Sequence, residues 1–130
     1  MSAADKVHPS LALDETVHQR VRLGILAILS EATECTFPIV RDELELTDGN
    51  LSRHLRVLEE AGLIEIRKGY EGRRACTWLT LTRQGRKALR DEITALEQLV
   101  HRLRRTQPGN TGDEPQSPAQ PGKSGANPAR

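Results

Sequence analysis

The segment from Leu46 to Ile64 constrains the fold more than any other part of the chain. Thr47 and Asp48 both suit the start of a helix, because their short side-chain oxygens accept hydrogen bonds from the free N–H groups of the first turn. Gly62 suits the left-handed position that ends a helix. The segment therefore predicts a helix over about 47–61, followed at once by a strand.

This predicted helix has one apolar and one polar side. At about 100° per residue, one stripe carries the leucines Leu51, Leu55 and Leu58. The other side carries Asn50, Arg53, Arg56 and Glu60. The leucines are expected to pack on a core, which leaves the polar side free to bind a partner.

Positive charge is concentrated in the middle of the chain. The whole sequence has a net charge of +1, but residues 49–90 hold ten Lys and Arg against four Asp and Glu. Clustered cations favour an anionic partner such as a nucleic acid, because phosphate contacts gain from nearby Arg and Lys. A solvated charged face is the simpler alternative.

The two ends differ from the middle in composition. Residues 104–130 hold five of the seven prolines and no apolar residue larger than alanine, so they are expected to be disordered, as are residues 1–10. Residues 11–103 form one predicted domain. No apolar run approaches the roughly 18 residues of a membrane span, and no signal-peptide pattern opens the chain, which predicts a cytoplasmic protein without a membrane partner.

Two further helices are predicted before the central one. Asp14 can cap a helix running to about Ala32, within which Gly24 marks either a close crossing of another backbone or simple tolerance. Pro38 suits the first turn of a second helix that ends near Glu45. Two short helices joined by a tight turn form a helix-turn-helix.

After Gly62 the pattern changes to that of a hairpin. Strands are predicted over 63–68 and 75–81, with a glycine-containing turn at 69–73. Four cations crowd the turn end of this hairpin: Arg67, Lys68, Arg73 and Arg74. A basic hairpin beside a polar-faced helix is the wing of a winged helix, and such cations favour the DNA backbone or the minor groove.

The sequence resembles the winged-helix transcriptional regulators of the MarR and ArsR type. The resemblance covers roughly residues 11–103 and is closest to the small MarR-like group with little beyond the core domain. It rests on RLGIL at 22–26, LSRHLRVLEEAGLI at 51–64, GRR at 72–74, TWLTLT at 77–82 and GR at 85–86. It implies an α+β winged helix-turn-helix with a three-helix core, a two-stranded wing and a long C-terminal helix. It also implies a prokaryotic regulator that binds double-stranded DNA as a dimer.

Individual residues can be assigned to this expected interface. Asn50 is placed early on the recognition helix, where it can bond adenine or cap the helix, and Arg53 and Arg56 can read guanine or hold phosphates. In the ArsR-like pattern the positions of Ser52 and His54 can face DNA, although His54 lies about 60° from the leucine stripe and suits a half-buried site bonded to a backbone group. The predicted DNA-binding set is Thr47, Asn50, Ser52, Arg53, His54, Arg56, Arg67, Lys68, Arg73 and Arg74.

The last predicted helix, about residues 82–103, carries a heptad-like apolar seam. Its members are Leu89, Ile93, Leu96, Val100 and Leu103. This seam predicts a homodimer, and two-fold symmetry then predicts an inverted-repeat operator. The alternative is a helix folded entirely onto its own core.

Other functions are less well supported by the sequence. Cys35 and Cys76 lack the spacing of a zinc site, so no metal or cofactor is expected, and buried filler is favoured over a redox role. No catalytic motif predicts an enzyme. The competing function is a winged-helix protein-interaction module without sequence-specific DNA binding. The sequence names no effector.

Overall fold

The computed structural model of the chain describes residues 7–106. The elements are a 3-10 turn at Pro9–Ala12, α1 at Arg20–Ser30, β1 at Cys35–Thr36, α2 at Phe37–Glu43, α3 at Asp48–Glu60, β2 at Ile64–Glu71, β3 at Arg74–Leu81 and α4 at Arg83–Arg105. The chain forms two compact units that divide after Leu96, within α4. The first unit holds the core and the sheet, and the described part of the second is the last turns of α4. The predicted α+β winged helix-turn-helix is confirmed.

The first long helix begins later than predicted. Helix α1 starts at Arg20, and the side chain of Gln19 caps it by accepting a hydrogen bond from the Arg22 N–H. The Asp14 side chain accepts from the Thr16 N–H at 2.8 Å and caps a short turn at residues 15–17, while its own N–H donates to the Glu92 side chain at 3.1 Å. The helix predicted to start at Asp14 is therefore a short turn followed by α1.

The predicted disordered ends are partly ordered. Pro9–Ala12 forms a 3-10 turn that overlaps the predicted disordered segment 1–10 at its last two residues, and α4 continues to Arg105, two residues into the predicted disordered tail. Residues 1–6 and 107–130 lie outside the described residues.

Helices α2 and α3 end in the same backbone motif. After α2, the Leu46 N–H donates to the Arg41 carbonyl at 3.0 Å, with Glu45 in the left-handed conformation at φ 55°. After α3, the Leu63 N–H donates to the Leu58 carbonyl, with Gly62 at φ 79°. This is the Schellman motif, in which glycine is usual at the left-handed position. Gly62 confirms the predicted end of α3, whereas Glu45 occupies the equivalent position with a side chain that disfavours it.

The sheet contains one more strand than predicted. Its order is β1-β3-β2 with both neighbours antiparallel, and β1 pairs Cys35 with Leu79. Strands β2 and β3 are longer than predicted, because Glu71 pairs with Arg74 and the turn shrinks to two residues. Gly72 takes the first of these at φ 67°, a conformation that tight hairpin turns require.

The core is aliphatic and is supplied by every long element. The leucine stripe of α3 is buried as predicted: Leu51, Leu55 and Leu58 are at most 3% exposed. These side chains pack with Ile25, Leu26 and Leu29 of α1 and with the inner face of the sheet at Ile64, Leu79 and Leu81. A methyl group at Gly24 would lie 3.1 Å from the Leu44 side chain, so a side chain rather than a crossing backbone approaches this glycine.

Candidate nucleic-acid interface

The start of α3 is fixed by one side-chain cap and one ion pair. The Thr47 hydroxyl accepts from the Asn50 N–H at 3.1 Å, which makes Thr47 rather than Asp48 the cap. Asp48 instead accepts from Arg41 of α2 at 2.9 Å. Arg41 also donates to Asp42, and its hydrogen bonds to Asp42 and then Asp48 raise the pKa of Arg41. The sequence pattern missed this link across the helix-turn-helix.

The outer side of α3 carries a preorganised pair. Arg53 donates from Nη2 to the side-chain oxygen of Asn50 at 2.8 Å. This bond uses one lone pair of the Asn50 oxygen, so the second lone pair and the amide N–H groups can still meet a base. Arg53 is held in one direction while it stays exposed. Asn50 thus orients a neighbouring arginine, a role that helical spacing alone did not indicate.

The two cations of strand β2 lie on opposite faces of the sheet, because side chains alternate along a strand. Lys68 and Ile66 share the face toward α3, where both line the same groove. Arg67 lies on the other face, 4.2 Å from the centre of the Trp78 ring, and donates to Glu34 at 2.9 Å. Arg67 is therefore engaged with Trp78 and Glu34, on the face opposite to Lys68.

A groove of about 710 Å³ runs between α3 and the hairpin. Arg56 of α3 and Lys68 of β2 face it from its two sides, together with the hydroxyl groups of Ser52 and Thr77. The remaining lining residues are Phe37, Asp48, Leu55, Glu59 and Ile66. Two cations and two carboxylates thus line one concave surface, and within it Arg56 and Lys68 are the side chains that suit a phosphate group.

Arg73 and Arg74 stand at the tip of the hairpin and are exposed. Arg73 belongs to the two-residue turn and Arg74 is the first residue of β3. Alternation puts Arg74 on the face opposite to Lys68, and the DNA-binding role of these cations stays a prediction.

His54 is half-buried, as its position on the helix predicted, but its partner is a guanidinium group rather than a backbone group. Arg22 of α1 places Nη1 3.2 Å from His54 Nδ1. Burial lowers the pKa of His54 first, and the charges of Arg22 and Arg53 lower it further. The sequence analysis did not identify Arg22 as part of the site.

A helix-turn-helix that exposes Arg53 and Arg56, followed by a hairpin with arginines at its tip, agrees with what the sequence matches. The family profile described as a winged helix DNA-binding domain matches residues 21–100, more than half of the chain. The chain belongs to the winged helix DNA-binding domain family.

The chain is similar to several known proteins. An uncharacterised protein of Methanocaldococcus jannaschii is 40% identical over 79 residues, which is 61% of this chain and 86% of that protein. A transcriptional regulator homologue from Pyrococcus horikoshii OT3 is 30% identical with a TM-score of 0.66, covering 69% of this chain and 89% of that one. A MarR-family transcriptional regulator from Rhodococcus sp. RHA1 shares the fold at 19% identity, with a TM-score of 0.59, over 78% of this chain and 71% of its own. The resemblance to winged-helix regulators is confirmed.

The residues predicted to form a dimer seam differ in exposure. Leu89 is 7% exposed and belongs to the core of its own chain. Leu96 is half-buried. Ile93, Val100 and Leu103 are each about half exposed, at 45%, 46% and 52%. The exposed members could still meet a partner, and the seam stays a prediction.

The two cysteines differ in burial: Cys35 fits the predicted buried filler, and Cys76 does not. Cys35 is buried in β1, and burial raises the pKa of its thiol, with further increases from Glu43 and Glu31. Cys76 is a free, half-exposed thiol on β3. Among residues 7–106 no three His, Cys, Asp or Glu side chains cluster as metal ligands would. No helix in this range is long and apolar enough to cross a membrane.

Proposed function

We propose that this winged helix protein is a transcriptional regulator that binds an inverted-repeat DNA operator as a homodimer. Helix α3 would enter the major groove, and the hairpin would lie along the sugar-phosphate backbone or the minor groove. The convergence of Arg56 and Lys68 on one groove, between α3 and the hairpin, carries this proposal. A protein-interaction module would need no such pairing of cations from two elements.

The predicted contacts can be divided into those that specify sequence and those that bind backbone. Arg53, aligned by Asn50, is the proposed base-reading group, because a fixed guanidinium can bond a guanine at two atoms. Arg56, Lys68, Arg73 and Arg74 are the proposed phosphate contacts, with Ser52 as a neutral donor.

Three residues of the predicted interface receive other roles. Thr47 caps α3, and Arg67 stabilises the sheet through Trp78 and Glu34. His54 contacts Arg22 of α1.

Dimer formation would use the exposed apolar side chains of α4. Ile93, Val100 and Leu103 are half exposed among residues 7–106, and their spacing repeats as a heptad would. A second copy is the proposed occupant, because one recognition helix rarely offers enough contacts for specific binding. Two-fold symmetry places the half-sites about one helical turn apart, which is about 10 base pairs.

The salt dependence of DNA binding tests the interface. Lys68→Ala should reduce the slope of log affinity against log salt by about one unit, because one phosphate contact is lost. Arg67→Ala changes the adjacent residue on the opposite face and is the matched control, with an unchanged slope. If the two substitutions reduce the slope equally, the assignment of the phosphate contact to Lys68 rather than Arg67 is wrong. A wild-type chain with no salt-dependent binding to duplex DNA would favour the interaction module.

A further inference from the structure

Arg22 of α1 makes three polar contacts beside α3. Its Nε donates to the Thr16 carbonyl at 2.6 Å, and Nη2 lies 3.4 Å from the Glu15 carbonyl. Nη1 lies 3.2 Å from His54 Nδ1. A guanidinium group can only donate, so His54 Nδ1 must accept, and the proton of the neutral ring is on Nε2. Arg22 therefore joins α3 to the segment before α1 and selects one form of His54.

The charges that face His54 favour this neutral form. They are Arg22 from α1 and Arg53 from α3 itself, and both lower the pKa of His54 in addition to its burial. The contact with Arg22 requires the unprotonated Nδ1, so the surroundings of the ring maintain the hydrogen bond that holds it.

The segment that holds Arg22 is itself fixed to α4. Glu92, 1% exposed, accepts from the Asp14 N–H at 3.1 Å and from His18 Nδ1 at 2.6 Å. Asp14 in turn accepts from the Thr16 N–H at 2.8 Å. The carbonyl groups that receive Arg22 are therefore held in place by a buried carboxylate.

His54 lies on the side of α3, between its buried leucines and its outer side. The leucine stripe fixes α3 against the core by close packing, and a hydrogen bond at the side of the helix adds a directional restraint. This bond resists rotation of the helix about its axis. Because Arg53 is one residue before His54, a rotation would also redirect the arginine proposed to read a base.

We propose that Arg22 is a positioning residue for DNA recognition: it ties His54 to the fixed segment 14–18 and sets the orientation of α3 without touching DNA. This role rests on the proposed function. Neither the helix pattern nor the charge count indicated it, because its partners are 6 and 32 residues away along the chain.

The first test is made on the free protein by nitrogen NMR of His54. In the wild type we expect an accepting Nδ1 and a protonated Nε2. Arg22→Met keeps the apolar stem and removes the donors and the charge, so the His54 pKa should rise toward its ordinary value of about 6.5. Arg20→Met makes the same change at an exposed position of α1 and should leave His54 unchanged. An unchanged His54 signal in Arg22→Met would overturn the proposal.

The second test is made on DNA. At pH 8, Arg22→Met should bind a selected duplex about tenfold more weakly, the factor expected for one misplaced base contact. The salt slope should stay unchanged, because no phosphate contact is lost. A slope reduced by about one unit would mean that Arg22 contacts phosphate itself, and the positioning role would be wrong.

A double substitution separates positioning from independent effects. His54→Phe keeps a ring but removes the acceptor, and the variant with both Arg22→Met and His54→Phe should bind no more weakly than either single variant. Additive losses would contradict the proposal. A wild-type chain that binds no duplex refutes the proposed function and this role with it, whereas wild-type binding that Arg22→Met leaves unaltered refutes only the role of Arg22.

Discussion

Gly85, in the first turn of α4, is the position where a single methyl group should be most harmful. A Cβ atom there would lie 2.0 Å from the Leu63 carbonyl oxygen and 2.8 Å from Leu81 Cδ1, where ordinary contacts begin near 3.4 Å. The backbone at Gly85 or at Leu63 must therefore move by more than an ångström. The same Leu63 carbonyl accepts from the Thr82 N–H at 3.1 Å, so this movement also disturbs the bond that joins α4 to the end of α3.

The expected cost of Gly85→Ala follows from these contacts. Overpacking costs about 1–3 kcal/mol, and a lost hydrogen bond adds about 1 kcal/mol. The better helix propensity of alanine offsets about 1 kcal/mol of this. The free energy of unfolding should therefore fall by about 2 kcal/mol, which lowers the urea midpoint by about 1–2 M at a slope of about 1–2 kcal/mol per M.

Urea unfolding followed by circular dichroism measures this loss, and Gly49→Ala is the matched control. Gly49 lies in the first turn of α3 with nothing within 4 Å of an added Cβ, so this variant should be as stable as the wild type or more stable. If Gly85→Ala unfolds at the wild-type midpoint, the close approach of α4 to Leu63 is wrong.

Three further outcomes are expected. Glu45→Gly should stabilise the protein by about 0.5–1 kcal/mol in urea unfolding, because the left-handed conformation costs other residues about 1–2 kcal/mol while glycine loses about 0.4–1 kcal/mol more on folding; a loss of stability would contradict the φ of Glu45. Glu92→Gln should lower the thermal midpoint, since Gln keeps one accepting oxygen and its amide nitrogen cannot accept the second of the bonds from Asp14 and His18; a loss below about 1 kcal/mol would show that this bond contributes little. Because the pKa of His54 is lowered in the folded state, the unfolded state binds a proton at this residue first as pH falls, so the free energy of unfolding should decrease below about pH 6.5. The urea midpoint of His54→Asn should depend less on pH across that window. An identical dependence in this variant would exclude His54 as its source.

The parts of the fold that sequence predicted well are those set by local rules. Helix α3 begins after Thr47 and ends before Gly62 because a cap and a left-handed glycine act within a few residues. Its three leucines are buried because helical spacing alone places them on one side. The hairpin followed from a change of period and two glycines, although Gly69 and Tyr70 extend the strand rather than the turn.

The parts that sequence missed depend on residues far apart in the chain. Helix α1 starts at Arg20 and not at Asp14, whose N–H donates to Glu92, 78 residues away. Strand β1 has only two residues and forms by pairing with β3. Alternation along β2 gives Arg67 a side of the sheet, but only its contacts with Trp78 and Glu34 show that this side is already occupied.

The central claim is sequence-specific recognition of an inverted repeat by a dimer, and selection from random duplex DNA tests it most directly. The recovered duplexes should share two half-sites in inverted order, with centres about 10 base pairs apart. The enriched half-site should change in Arg53→Ala, because that arginine is the proposed base reader. Recovery of duplexes with no common sequence, or of single half-sites bound by a monomer, would contradict the account.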